Sequence, residues 1–452
     1  MKKTIVSIIL ALLCSALSLQ AQSFHQGLFL DGYRLNYRYN PAMGNESDFL
    51  SVGQWSHQSI NNVGAANFLF PTDQGLVTGL HSLISPEEFL GPIPDNSCIR
   101  SNININLFSY GFAKDDNYHT IEANVRALYG VTLPKGIFTI LKLGNGEGSY
   151  DLGGMNLNGS AYAELAYGYS RKLSDVVSLG FRAKLLVGVE ALNYNVSQLD
   201  LKFNQDDMTM VLDADLDLTS RWSKIHPDED GYYRLDLGSL SSKDRWRLPS
   251  GAGLALDLGL VLTPVEGLTI SASLTDLGGI LWYYGNAGKS KGTSTFSGLK
   301  DLQLESIKNG EIMDNLKAVG KDFASSMLIK EVKSRTLLTP VPFNADLAVK
   351  YELPFYRPLA VGLTGNYMAY SGIPYYEGRF ALSWNPCKFF GIVGDIGFGS
   401  LNEVYSVAVN AGIGRFRATA GFSNGFGGNI PYTSTPLLPR NKVLTVGLTY
   451  DI

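Results

Sequence analysis

The sequence predicts an all-β fold: a transmembrane antiparallel β-barrel of about fourteen strands, with an N-terminal segment in its lumen and long extracellular loops. Three observations predict it. From Phe343 to Ile452, turn-bounded segments alternate apolar with small, polar or charged residues. Phe343, Ala345, Leu347, Val349, Tyr351 and Leu353 fall on one face, with Asn344, Asp346, Ala348, Lys350 and Glu352 on the other. Strand side chains alternate between faces, so one face is greasy and the other wet. Second, no stretch beyond the N-terminus is long and apolar enough for a transmembrane helix. A mean hydropathy of +0.02, 17% charged residues and 24 tyrosines instead suit strands of about ten half-apolar residues. Third, the connections sort by parity. Lys114–Asn117, Leu173–Asp175, Pro264–Gly267, Pro354–Pro358, Pro386–Lys388 and Gly414–Arg415 are short and share one side, and the long connections share the other.

Residues 1–21 read as a secretory signal peptide. Met1-Lys2-Lys3 is a basic start, Thr4–Leu19 is apolar but too short to span, and Ala21-Gln22 is a cleavage point. Leu12-Leu13 precede Cys14 where a lipoprotein would carry small residues. Losing Lys2 and Lys3 takes the formal net charge from −4 to −6, which leaves no footprint for nucleic acid. Residues 22–48 have no strong period and form the expected lumen or plug segment; the barrel proper is residues 49–452.

Phe49–His57 is the first strand. Leu76–Asp95 is a loop with a short helical piece at Pro86–Leu90. Strands follow at Asn102–Ala113 and Tyr118–Tyr129, then a helical Pro134–Leu143, a glycine-rich loop Gly144–Gly154, and strands Ala161–Lys172 and Val176–Val187. Leu192–Leu218 turns at Gln205-Asp206-Asp207, where a returning strand meets only the far half of its predecessor. It is therefore expected to project as an extracellular hairpin, with Ala252–Thr263 making the return crossing. Leu268–Asp276 precedes a long outer loop, residues 285–342, in which Ile312, Leu316, Val319, Phe323, Met327 and Leu328 recur at helical spacing within an amphipathic helix, Glu311–Lys333. Seven strands complete the chain. Trp282-Tyr283-Tyr284, Tyr367, Tyr370 and Tyr375-Tyr376 are expected to form an aromatic girdle at the loop side, with Tyr351, Phe355, Tyr356, Trp384, Phe389 and Tyr450 at the turn side.

The leader, the Asn40-Pro41-Ala42 tripeptide near the mature start and a barrel of this size resemble the FadL/PorV-type outer-membrane superfamily. Tyr150–Gly154, Ala161–Glu164, Gly168–Lys172 and Leu179–Leu186 are similar to a Bacteroidetes branch of such barrels, a domain of unknown function, over most of the mature chain. The resemblance implies fourteen strands with the N-terminal segment in the lumen. Its wider group includes hydrophobic-compound transporters and a secretion-system accessory barrel. Ile452 at the end departs from the usual terminal aromatic.

With the apolar face toward lipid, Glu122, Arg126, Glu164, Arg182, Lys184, Asp257, Asp346, Lys350, Glu352, Glu377, Arg379, Asp395 and Arg417 face the lumen. Their interleaved signs favour pairing across the barrel and against a plug over an open polar path, because charges withdrawn from water need partners. Asp213, Asp215 and Asp217 share one face of the projecting hairpin, where a solvated face and a calcium site are both open readings. Cys98 and Cys387 remain after processing, free or paired. None of the five histidines stands in a nucleophile motif. The expected function is transport of hydrophobic or small amphipathic compounds through a plugged, gated barrel in the bacterial outer membrane. The alternative is an accessory barrel that binds a protein partner through its loops. No enzyme activity, cofactor, metal or nucleic acid is expected; the expected partners are outer-membrane lipid, a hydrophobic small-molecule ligand and a protein at the outer loops.

Overall fold

The computed structural model describes residues 24–45, 47–73, 75–143, 148–203, 208–220, 224–227, 233–236, 249–296, 331–370, 373–400, 403–423 and 441–452. The predicted signal peptide and most of the Glu311–Lys333 helix lie outside them.

The strands in order are β1 (Phe49–Ser51), β2 (Gln54–Asn61), β3 (Leu69–Thr72), β4 (Gly75–Thr78), β5 (Asn96–Lys114), β6 (Asn117–Pro134), β7 (Gly148–Asp151), β8 (Met155–Lys172), β9 (Val177–Phe203), β10 (Met208–Ser220), β11 (Lys224–Pro227) and β12 (Tyr233–Asp236). They continue with β13 (Gly251–Val265), β14 (Leu268–Phe296), β15 (Glu331–Pro340), β16 (Phe343–Glu352), β17 (Leu359–Tyr370), β18 (Ile373–Cys387), β19 (Phe390–Gly399), β20 (Glu403–Ile413), β21 (Phe416–Ser423) and β22 (Asn441–Asp451). Among the described residues two α-helices, α1 (Pro86–Leu90) and α2 (Lys135–Leu143), lie in loop-side connections.

Among the described residues, eighteen strands form one antiparallel sheet. Its wall runs β2–β5–β6–β8–β9–β13–β14–β16–β17–β18–β19–β20–β21–β22 and returns to β2, with β1 continuing β2 across a break at Val52-Gly53. That is a closed ring of fourteen crossings, and closure removes the unpaired edges that an open sheet would present. The turn side is tight: Lys114 pairs Asn117 around Asp115 at φ 54°, and Ile413 pairs Phe416 around Gly414 at φ 61°.

On the loop side the sheet rises above the ring. β9 continues past its β13 pairing, β10 pairs with that extension, and the upper half of β14 pairs with β10 on one edge and β15 on the other. The sequence reading of 285–342 as loop is corrected at both ends, because β10 gives Gly285–Phe296 a partner and β14 in turn gives Glu331–Pro340 one. One face of this projection is apolar, with Val196, Leu199, Met210 and Leu212 packed beneath Ile137 and Ile140 of α2. Phe138 of α2 points the other way, into a cluster with Ile84, Phe89 and Ile93 that carries α1.

The wall is inside-out relative to a water-soluble barrel. Leu165, Leu185, Leu254, Leu347, Leu363, Phe380, Ile396, Phe398 and Leu448 are exposed, while arginines, carboxylates and amides are buried. β21 alternates exposed and buried at every residue. An exposed apolar band of this extent marks a lipid-facing surface. Tyr283, Tyr367 and Tyr376 are exposed on the loop side, and Tyr351, Phe355, Tyr356, Trp384 and Phe389 on the turn side. Trp282 and Tyr375 are corrections: both are buried inward. Trp282 is turned by a bulge described below, and Tyr375 donates its hydroxyl to Glu377. Cys98 and Cys387 are both free.

Candidate functional site

Residues 24–45 touch strands on every side of the ring, which places them inside it. Asn40 Nδ2 donates to Leu260 O at 3.0 Å and Ala272 O at 3.2 Å, on β13 and β14. Ser273 Oγ donates to Tyr39 O at 2.6 Å, and Tyr37 donates its hydroxyl to Glu122 of β6 at 2.8 Å. Gln26 donates to Asp395 of β19, and Phe24 packs against Gly421 of β21. The wall thins where the segment comes closest. A Cβ at Gly180 would meet the Pro41 carbonyl, at Gly259 the Asn40 side chain, and at Gly362 the Phe29 ring. Asn40 closes its own turn, because its Oδ1 accepts from Ala42 N at 2.9 Å. Burial pushes the Tyr33, Tyr37 and Tyr39 hydroxyl pKa values above the ordinary tyrosine value.

The lumen-facing charges fall into three groups. The first is a belt on β6, β8, β9, β13 and β14. Arg182 contacts Glu122 and reaches Asp257 at 2.8 Å; Lys184 reaches Asp257 at 2.7 Å and Asp276 at 2.5 Å; Arg126 reaches Asp276 at 2.7 Å and Glu164 at 3.5 Å. Asn124 donates to both Glu122 and Glu164. The wall side of this belt holds four carboxylates (Glu122, Glu164, Asp257, Asp276) against three cations. Arg38 of the N-terminal segment, 3.6 Å from Glu122, brings the fourth. Buried charge of mixed sign persists only when so compensated.

The second group joins Glu377, Arg379, Asp395 and Ser406. Asp346 accepts from Asn366 at 2.8 Å, and His25 lies 3.3 Å from Asp346 and 3.7 Å from Glu377. The third is at the turn-side rim. Arg34 and Arg417 share Asp451, and Lys350 pairs with Asp31 at 2.8 Å. Glu352 lies 3.5 Å from Lys350 with a side chain 37% exposed, so it belongs to the rim. Of the thirteen residues picked from sequence, the structure thus brings six into the first group, four into the second and three to the rim.

Asp276 was missed. Strand parity from Leu268 to Leu274 would send it toward lipid. β13 and β14 instead slip in register between Leu256/Leu277 and Leu258/Leu274, and Asp276 takes φ 65°. The bulge reverses the phase, so Ile280 and Trp282 also face inward. Together with Leu128, Tyr162 and Leu186 they make an apolar layer directly above the belt. Across the ring, Ile60 of β2 packs with Met368 of β17 and Tyr375 of β18 and narrows the lumen. Leu277 breaking the alternation before Gly278-Gly279 is the one signal in the sequence for this bulge.

On the lipid side of the wall, behind Asn40, a cavity of about 590 Å³ opens over Ala272, Ala345 and Gly365, rimmed by Leu258, Leu274, Leu347 and Tyr367. On the projection, Asp213, Asp215 and Asp217 pair with Lys291, Lys289 and Arg335, so the three carboxylates already have cationic partners. His57 Nε2 lies 2.6 Å from Ser101 Oγ; both are buried, and His57 Nδ1 lacks the hydrogen-bond partner that would orient a catalytic base.

A family model described as a family of unknown function, DUF5723, matches residues 41–421. No curated protein matches the chain. Among solved structures, the Pseudomonas putida toluene transporter TodX superposes with a TM-score of 0.41 at 7% identity, covering 96% of this chain and 94% of its own. A Pseudomonas aeruginosa FadL homologue gives 0.42 at 11% identity, covering 96% and 99%. The translocator domain of the autotransporter NalP from Neisseria meningitidis gives 0.34 at 8% identity, covering 90% of each.

Proposed function

Because the chain belongs to the DUF5723 family, and its barrel is plugged from within and greasy without, we propose that it is an outer-membrane channel for hydrophobic or small amphipathic compounds, gated by Phe24–Asn45. One observation carries this reading: Asn40 donates from the lumen to two facing wall carbonyls, Leu260 and Ala272, with the 590 Å³ cavity behind them on the lipid side. Here the partition between lumen and bilayer is one backbone thick. Its inner latch is a single side chain.

The apolar layer of Leu128, Leu186, Ile280 and Trp282 suits a compound that has left water, and the charged belt beneath bars a straight aqueous path. The exit is then sideways, between β13 and β14, whose ladder is already interrupted at the bulge and must part further as Asn40 withdraws. An accessory barrel needs a free outer surface for its partner, whereas the projecting sheet spends its acidic face on its own lysines and arginine.

The test fills the exit. Gly365→Trp and Ala272→Trp should lower uptake of a fluorescent long-chain fatty acid into proteoliposomes at least tenfold, with the barrel's heat-modifiable gel mobility unchanged. Wild-type uptake rates in both folded variants would reject the reading.

A further inference from the structure

Away from the lumen, the lipid-facing wall on β6, β8, β9 and β13 holds a second groove. It has a volume of about 750 Å³, and Leu165, Tyr167, Leu185, Leu254 and Leu256 stand around Ala183. Ala183 is the small residue in an outward row that otherwise reads Ile121, Tyr167 and Leu256 by cross-strand register. One row nearer the turns stand His119, Tyr169 and Phe181, and the next row, at the rim, holds Asn117, Arg171 and Leu179. Successive same-face rows are about 7 Å apart. Chemistry therefore changes from apolar, through aromatic and hydrogen-bonding, to cationic over about 14 Å along the wall.

The middle row is built. Phe112 lies flat on the His119 imidazole, with centroids 5.0 Å apart and planes at 14°, and Tyr169 meets it edge-on at 5.5 Å. His119 Nδ1 is 2.8 Å from the Tyr167 hydroxyl, and Tyr169 donates to Asn117 Oδ1 at 2.7 Å. The imidazole is thus held on three sides, and among the described residues nothing bonds its Nε2. At the rim, Lys172 is engaged by Asp175 at 3.1 Å, whereas Arg171 and Lys114 are exposed and have no ion-pair partner among the described residues. Asp115 and Asp116 occupy the turn tip beyond Lys114.

We propose that this face holds one phospholipid of the turn-side leaflet, its acyl chain in the groove over Ala183 and its phosphate between Arg171 and His119 Nε2. The ordered change of chemistry along the wall selects this occupant over a second copy of the chain. An apolar chain, an ester region and an anionic phosphate follow in that order in a phospholipid, and a guanidinium pairs with phosphate through two parallel hydrogen bonds. The site requires that the wall lie in a bilayer and requires nothing of the channel.

Native mass spectrometry of the full-length protein, released from nonionic detergent micelles doped with phosphatidylglycerol or with diacylglycerol, tests it. The expected result is one retained phosphatidylglycerol, held at least tenfold more than diacylglycerol. Ala183→Trp abolishes retention and Arg171→Glu removes the headgroup preference, with fatty-acid uptake unchanged in both. Equal retention of the two lipids by the wild type would overturn the proposal. So would unchanged retention in Ala183→Trp, or a lipid-free dimer that Ala183→Trp converts to monomer. Heat-modifiable mobility checks folding; if Ala183→Trp fails it, Ala183→Leu takes its place and Arg171→Glu still decides the headgroup seat.

Discussion

Asp276 donates its backbone N–H to Asp257 Oδ1 at 2.7 Å. That bond closes the bulge and sets both carboxylates beside Lys184, so one irregular residue organises the charged belt and inverts the phase of the strand above it. Asp276→Ala removes the anion opposite Arg126 and Lys184 and substitutes a residue that resists φ 65°. Breaking a buried pair costs about 3–5 kcal/mol. A lower urea midpoint for the folded barrel should report it, with Asp276→Asn intermediate because asparagine tolerates the left-handed region.

The phase reversal has its own readout. Deleting Asp276 takes out the extra residue, so plain alternation from Leu274 keeps Ile280 and Trp282 inward without a bulge. In a variant retaining Trp282 as its sole tryptophan, brominated lipid should quench parent and deletion equally weakly; strong quenching of either would contradict the bulge.

Gly259 and Gly180 form the floor on which Asn40 and Pro41 rest. Gly259→Ala puts a methyl where the Asn40 side chain sits, a form of overpacking that costs about 1–3 kcal/mol. The wall is held by ladders on both sides, so the segment should yield first. Protease cleavage between residues 24 and 45 should accelerate about tenfold or more while the barrel remains intact.

Arg38→Ala leaves Glu122 with one cation fewer in a buried setting and strips donors from Gln54, Asn104 and Asn124. Hydrogen bonds to charged groups contribute about 1.5–3 kcal/mol each. Faster labelling of a cysteine placed at Ala42 should report the loosened segment, and Arg38→Lys should restore only part of the protection, because lysine lacks the planar fork.

Alkaline pH acts on the same segment. Tyr33, Tyr37 and Tyr39 have hydroxyl pKa values raised by burial, so the folded protein holds protons there that the released segment gives up. Their contribution is complete below the unfolded tyrosine pKa near 10 and is lost as pH rises through the higher folded values. Ultraviolet titration should show late-ionising tyrosines, Tyr33, Tyr37 and Tyr39 among them, whose ionisation coincides with exposure of residues 24–45 to protease.

Strand positions were legible because the alternation is local: an apolar member at every second position survives any tertiary context that keeps one face in lipid. The hairpin carried by β9 and β10 was legible from arithmetic, since a strand returning at Met208 meets only the far half of its predecessor. Asp276 was hidden because a bulge depends on a partner strand far away in sequence, and parity counting carries no term for it. Trp282 was misplaced for the same reason. The inward glycines were hidden because what presses on them is a segment with no period of its own. The Glu311–Lys333 helix, with its Ile312, Leu316, Val319, Phe323 and Met327 stripe, falls almost entirely outside the described residues.

The seam between first and last strands gives the Arg34–Asp451 pair a second meaning. β22 closes the ring against β1, and Asp451 is held by Arg34 from inside and Arg417 from the wall. The closing strand is therefore fastened to the interior segment as well as to its neighbours in the wall, and the seam is at its tightest when the interior is filled.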